Sequence, residues 1–242
     1  MTQTENTAIV MRYTNYRESD RMISLFSPVK GRIEANARGC RKPKSPLLNA
    51  AEVFALGDFM LYEKAGRYTV TGVQMIESFY PLRLDFDRLT VGTYLMSLCE
   101  AVVQPGQGAQ ELFMLLLHTL SRLTYSDQEW RPLLTGFLMH FSVLSGFRPR
   151  LYHCCRCGEE IPDGINAGFD GKSGGLCCLR CKTRGDEALS APQVRFLRKS
   201  LEKPASQWVN SPDMHAPMGV MRRFVEMELG QRITGSKMLP ED

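Results

Sequence analysis

No apolar run in these 242 residues approaches the ~18 needed to cross a membrane. The longest, Leu112 to Leu117, suits one face of a buried helix. The first ten residues lack a basic run leading into an apolar stretch, so no secretory leader is expected. Charge of one sign is scarce. Thirty Lys and Arg face 26 Asp and Glu, a formal net charge of +4, which excludes a polybasic or polyacidic tail and leaves a mildly basic chain. The four histidines (His118, His140, His153, His215) have no i, i+4 partner of the kind a catalytic metal uses. A P-loop pattern, a nucleophile elbow and an H-E-x-x-H helix are all missing. Asp85 and Asp87 form one drawable carboxylate pair, but they sit at a helix start, where acids stabilise the helix dipole. Repeats and low-complexity tracts are absent. Together these absences argue against an enzyme.

Cysteine is plentiful by contrast, with eight in the chain. Without a leader, they point to a reducing cytoplasm and metal thiolates, not to disulfides. Cys154-x-x-Cys157 and Cys178-x-x-Cys181 are separated by the twenty residues 158–177. Each C-x-x-C turn presents two thiolates on one side of a tight loop, and two such turns supply the tetrahedral sulfur set that structural zinc favours. The expected ligands to one zinc ion are therefore Cys154, Cys157, Cys178 and Cys181. Cys155 and Cys177 adjoin the pairs, so a shifted register remains open, and His153 is a further candidate donor. Four thiolates leave no open position for an activated water, which argues against metal-assisted hydrolysis. The His-x-Glu that a zinc deaminase requires is missing as well.

Residues 8–80 read as strands: Ala8 to Tyr13, Met22 to Phe26, Arg32 to Ala37, Ala51 to Tyr62 and Tyr68 to Phe79. They are short, rich in β-branched and aromatic residues and punctuated by turn residues. Five strands without a long intervening helix suit a small closed barrel of the oligonucleotide-binding kind, with a sandwich or SH3-like barrel as the competing reading. The period then lengthens to that of helices. Phe86, Leu89, Tyr94, Leu95 and Leu98 mark one. Leu112 to Leu123 is apolar nearly all round and marks a second, in which His118 reads as a satisfied core histidine. A capping box at Ser126-x-x-Glu129 opens a third, with a stripe of Trp130, Leu133, Leu134, Phe137, Leu138, Phe141 and Leu144. After the cysteine segment, Ser190-x-x-Gln193 starts a helix that Lys203-Pro204 ends. A Pro-, Ser- and Asn-rich linker (204–217) leads to a last helix, with Val220, Met221, Phe224 and Met227 inward and Arg222, Arg223 and Arg232 outward.

Basic charge is concentrated early. The first fifty residues carry nine Lys or Arg against four acids, most densely in Arg38-Gly39-Cys40-Arg41-Lys42-Pro43-Lys44-Ser45. Such a loop beside a barrel can follow phosphates without reading bases. Tyr13, Tyr16, Phe54 and Tyr62 are of the type that stacks on bases, although most strand aromatics are core.

In their order, four stretches resemble the RecO family of bacterial recombination mediators and DNA repair proteins. Tyr16-Arg17-Glu18-Ser19-Asp20-Arg21-Met22-Ile23-Ser24-Leu25-Phe26 is similar to the family's Y-G-E-S-D-R-I-x-x-L-F. The others are Lys30-Gly31-Arg32 with the basic loop, the doubled C-x-x-C with its Gly174-Gly175, and Leu189-Ser190 with the helix after it. Arg17 departs from the family's glycine and Cys40 from its small residue; neither change removes a cation. The resemblance implies an α+β chain: an N-terminal five-stranded OB-fold β-barrel (1–80) that binds DNA, then an α-helical domain (81–242) carrying the zinc insertion at about 150–185. It implies binding of single- and double-stranded DNA, annealing of complementary strands, and partnership with RecR and with the C-terminal tail of single-stranded-DNA-binding protein (SSB). It further implies help in loading RecA, and a cytoplasmic, nucleoid-associated protein with no membrane partner. Arg38, Arg41, Lys42 and Lys44, with Arg12 and Arg32, are the expected phosphate contacts. Arg122, Arg148 and Arg150 are candidates to meet the acidic SSB tail. The alternatives are a nucleic-acid-processing enzyme such as a nuclease, with a structural zinc domain, and a purely protein-binding adaptor.

Overall fold

Strict alternation of buried and open side chains in β3 (Gly31–Ala37), where Gly31, Ile33, Ala35 and Ala37 face inward, sets the pattern of the N-terminal half. The computed structural model describes residues 2–202, 216–231 and 233–239. It divides into two compact units, Met1–Leu116 and Leu117–Asp242. In the first, β1 (Thr2–Tyr16), β2 (Asp20–Ser27), β3, β4 (Leu56–Lys64) and β5 (Arg67–Glu77) form a closed barrel in the order β1-β2-β3-β5-β4, of the OB-fold kind. Strand β4 closes it by pairing antiparallel with β1 from Thr2–Glu63 to Ile9–Leu56. The seam between β3 and β5 is parallel and short, Ala35–Tyr68 and Asn36–Thr69. A bulge between Val10 and Arg12 bends β1, which is how one long strand serves two neighbours. Val10, Ile23, Leu25, Ile33, Phe59 and Leu61 fill the interior; full burial of such a side chain contributes roughly 1.5–3 kcal/mol.

The fourth strand begins at Leu56, not at Ala51. Residues 51–55 turn instead, because Phe54 adopts a left-handed φ of 73° and its N–H donates to Val10 O at 3.0 Å. Ala51 and Ala55 from this segment, and Leu47 just before it, join the barrel core. Helix α1 (Phe86–Val102) starts behind Asp85, whose carboxylate accepts the Arg88 N–H at 3.0 Å, so the acid at this position is a cap. Phe86, in the first turn, is exposed and not part of the inward stripe. Helix α2 (Gln110–Tyr125) exposes Met114 and is therefore not buried all round. The buried Nε2 of His118 has no hydrogen-bond partner among the described residues, so that histidine is not a satisfied one.

In the second unit, α3 (Trp130–Leu144) begins one residue after Glu129, which makes no side-chain cap. The Ser126 hydroxyl instead accepts the Gln128 N–H at 3.1 Å, so the expected capping box is a local turn. Its stripe is buried from Trp130 to Phe141, while Leu144 is exposed. An antiparallel sheet of β6 (Ala167–Asp170), β7 (Gly175–Cys177) and β8 (Glu187–Leu189), in the order β7-β6-β8, forms the inserted body. Helix α4 (Ala191–Glu202) carries the expected start: the Gln193 side chain accepts the Ser190 N–H at 2.9 Å. Phe224 on α5 (Met218–Leu229) packs edge-on against Phe147 and Phe169, with ring centroids 5.9 and 5.4 Å away. Met227 points outward, two residues beyond the last buried position, Val225. The Lys203-Pro204 stop, most of the 204–217 linker, His215 and Arg232 lie outside the described residues. No helix of the described residues is long and apolar enough to cross a membrane.

Candidate functional site

The basic loop is held in place by its least basic members. Cys40 is buried in the barrel core, where desolvation pushes its thiol up. Gly39, at φ 64°, turns the chain so that its N–H meets the Asp20 carboxylate at 2.8 Å. The Arg41 N–H donates to Ser19 O at 3.0 Å, and Lys42 N–H and Ser45 N–H close successive turns onto Gly39 O and Lys42 O. The loop is thus a string of hydrogen-bonded turns strapped to the β1–β2 hairpin. With Cys40 pulled inward, Arg38, Arg41, Lys42 and Lys44 are all exposed. Among the described residues, none of these four side chains meets a carboxylate.

Arg12 and Arg32 stand elsewhere. Arg12 lies mid-strand, engaged by Glu100 and by Glu34 at 3.3 Å, and those hydrogen bonds raise its pKa further. Arg32 opens β3 at the end opposite the loop, about 20 Å from Arg38 by strand rise. It is half-buried, and its Nε has no hydrogen-bond partner among the described residues. Sequence reasoning passed over two other cations at the loop's end of the barrel. The Arg21 guanidinium stacks 3.8 Å from the Tyr13 ring centroid while bonding Glu52 and Ala51 O. Arg17 sits 5.2 Å from the Tyr16 ring centroid, at a φ of 55°. Tyr13 pairs with inward-facing Ile23 and Tyr16 with Asp20, three residues on, so the two rings lie on opposite faces of the hairpin. The signal for Arg17, Asp20 and Arg21 lay within the Tyr16–Phe26 stretch; what they touch did not.

In the second unit the Cys154, Cys157, Cys178 and Cys181 sulfurs all lie within 4.8 Å of one another. Each knuckle is a tight turn: Gly158 N–H donates to Cys154 O, and Cys181 N–H to Cys178 O, both at 3.0 Å. Cys178 N–H points at the Cys154 sulfur at 3.4 Å. Burial alone would raise the Cys154 thiol, but N–H groups of Cys157, Cys178 and Arg156 outweigh it and bring the thiol to about 6. Four soft, closely grouped thiols, one already favouring the thiolate, fit a four-coordinate metal ion. The neighbouring cysteines face other ways. Cys177 is buried on β7 with its sulfur 3.6 Å from Asp186, which with burial pushes its thiol up to about 12. An added Cβ on Gly168 would come within 2.6 Å of that sulfur, so the strand beside it must carry glycine. Cys155 N–H bonds Leu176 O, and His153 bridges to Glu160, outside the sulfur cluster.

Family profiles match nearly the whole chain. One described as "Recombination protein O N terminal" covers residues 1–79, and one described as "Recombination protein O C terminal" covers residues 83–237. The chain is similar to the DNA repair protein RecO of Alkaliphilus metalliredigens, at 36% identity over 172 residues, 71% of this chain and 69% of that protein. The namesake in Acetivibrio thermocellus is 31% identical over 189 residues, 78% and 74% of the two chains. In Desulforamulus reducens the match extends over 238 residues at 28% identity, 96% and 92% of the two chains.

Proposed function

The chain belongs to the RecO family of DNA repair proteins, and on that premise we propose that it is a non-catalytic recombination mediator. It binds single- and double-stranded DNA, anneals complementary strands and, with RecR, helps load RecA onto SSB-coated single strands. The observation that carries this reading is the strapped loop with four exposed cations and no acid of its own. Annealing brings two polyanions together, so side chains must neutralise phosphate without selecting sequence. Arg38, Arg41, Lys42 and Lys44 do this on residues 1–80, the DNA-binding barrel. Arg12 and Arg32 contribute less, being paired and half-buried respectively.

The four cysteines hold one structural zinc ion that clips the 150–185 insertion of the helical region, residues 81–242. Zinc suits the all-thiolate donor set, and the closed set leaves it no role in bond cleavage. Of the cations considered for the acidic SSB tail, Arg148 and Arg150 are both exposed, but Arg150 donates to Ser173 O and Arg122 is turned to Gln128. On this reading Arg148 takes a tail carboxylate. A protein with these partners works in the cytoplasm, at the nucleoid.

Binding of a labelled single strand across a salt series tests the loop. Each lost phosphate contact lowers the salt slope by about 0.7, so Arg41→Ala/Lys42→Ala is expected to lower it by about 1.4. An unchanged slope removes the loop from the interface. Cleavage of labelled DNA in Mg²⁺, abolished by a single carboxylate change, would establish the nuclease reading instead.

A further inference from the structure

Arg156 lies between two of the four clustered cysteines, yet its side chain serves the other knuckle. Nη1 donates to the carbonyl of Cys181. Nη1 and Nη2 also grip the Asp186 carboxylate, one oxygen each at 2.7 Å, and Nη2 reaches Asp170 on β6 at 3.0 Å. Both acids are themselves fixed. Asp186 accepts the Thr183 N–H and hydroxyl at 2.5 and 2.9 Å. Asp170 accepts the Ser173 hydroxyl at 2.8 Å and the Lys172 N–H at 3.1 Å. A forked guanidinium matches this two-oxygen geometry where a point charge would not. The network is also sheltered: the Asp186 side chain is 3% exposed and Asp170 13%. Another pair across the knuckles, Arg180–Glu159, is open to solvent at both ends and contributes little.

We propose that Arg156, through Asp186 and Asp170, is a positioning residue that assembles the four-cysteine site before metal arrives. The two knuckles are held in ligating register by protein contacts, so metal entry does not fold the insertion. This departs from small zinc modules, where metal binding supplies the folding free energy. It rests on the reading of the four cysteines as a zinc site. Apparent affinity equals intrinsic affinity reduced by the assembled fraction, so loosening the knuckles weakens zinc without touching a ligand.

The test uses the full chain with Arg156→Gln, Arg156→Lys and Asp186→Asn. Zinc affinity is measured against a chromophoric chelator, and amide exchange is followed across 150–189 in zinc-loaded and stripped protein. Wild type is expected to stay protected across this segment after stripping, losing only what zinc adds by mass action. Arg156→Gln is expected to bind zinc about 10–100-fold more weakly and to acquire protection that depends on zinc. Arg156→Lys keeps the charge but loses the fork and does not restore affinity. Asp186→Asn, nearly isosteric, shows the same pattern should Arg156→Gln fold poorly. Cobalt-substituted variants at saturation keep the wild-type tetrathiolate spectrum, since no ligand has changed. A variant equally destabilised with and without zinc, at unchanged affinity, overturns the proposal, as does loss of wild-type protection on stripping. A wild-type chain that takes up no zinc overturns the metal reading itself, and with it this one.

Discussion

Replacing Asp20 by alanine changes no cation on the loop, yet it is expected to weaken DNA binding. The Asp20 carboxylate is nearly buried and accepts the Gly39 N–H at 2.8 Å, so it fixes the turn from which the four basic side chains fan out. A hydrogen bond to a charged group contributes about 1.5–3 kcal/mol, and its loss orphans a sheltered N–H. For a unit of this size, a loss of about 2 kcal/mol lowers the melting temperature by about 8 °C. Asn at this position still offers an acceptor and is expected to recover most of the loss. Thermal unfolding by circular dichroism, paired with anisotropy of a labelled single strand at one salt concentration, reads both effects. The loop must then be ordered at the moment of binding, so affinity falls several-fold in Asp20→Ala, while the salt slope stays near wild type because every phosphate contact survives. A wild-type melting temperature in Asp20→Ala, or unaltered affinity in a measurably loosened loop, would refute the reasoning.

Arg17 occupies a left-handed turn position at φ 55°. Arg17→Gly should therefore stabilise the first unit by about 1 kcal/mol in a denaturant titration, and an unchanged or lower midpoint counts against the strain. Cys178→Ser should lower bound zinc in elemental analysis. Cys177→Ser should leave zinc in place but destabilise the insertion by about 1–3 kcal/mol, as a buried hydroxyl replaces a thiol; the opposite zinc result reverses the ligand assignment. Arg156 above all, with Thr183, holds the Asp186 carboxyl well below the usual carboxylate range, against the opposing effect of burial. Its contribution is fully present above an unfolded pKa of about 4 and fades as pH falls toward the folded value. The melting temperature should thus fall as pH drops below about 4, and less steeply in Asp186→Asn.

The barrel and the sulfur cluster were legible because each is written in local pattern. Short runs rich in β-branched and aromatic residues, cut by turn residues, marked the strands, and the two C-x-x-C turns are each complete within four residues. Boundaries failed where tertiary contacts outvoted propensity. Ala51 to Ala55 has strand composition, but Phe54 takes a left-handed turn to bond Val10. Ser126 and Glu129 have capping-box identities, but the helix starts behind them. Charge counting named Arg12, but it could not see that Glu100, 88 residues away in sequence, would engage it. The Arg156 network escaped for the same reason, because Asp170 and Asp186 lie 14 and 30 residues downstream.

Annealing by a loop of exposed cations is the central claim. Its most direct measurement is the rate at which complementary strands, each coated with SSB, become duplex in the presence of wild-type protein or of Arg41→Ala/Lys42→Ala. Annealing by wild type is expected to weaken with rising salt and to be sharply reduced in the variant, with both proteins equally folded and equally zinc-loaded. Annealing by the variant at the wild-type rate and with the wild-type salt dependence would contradict it.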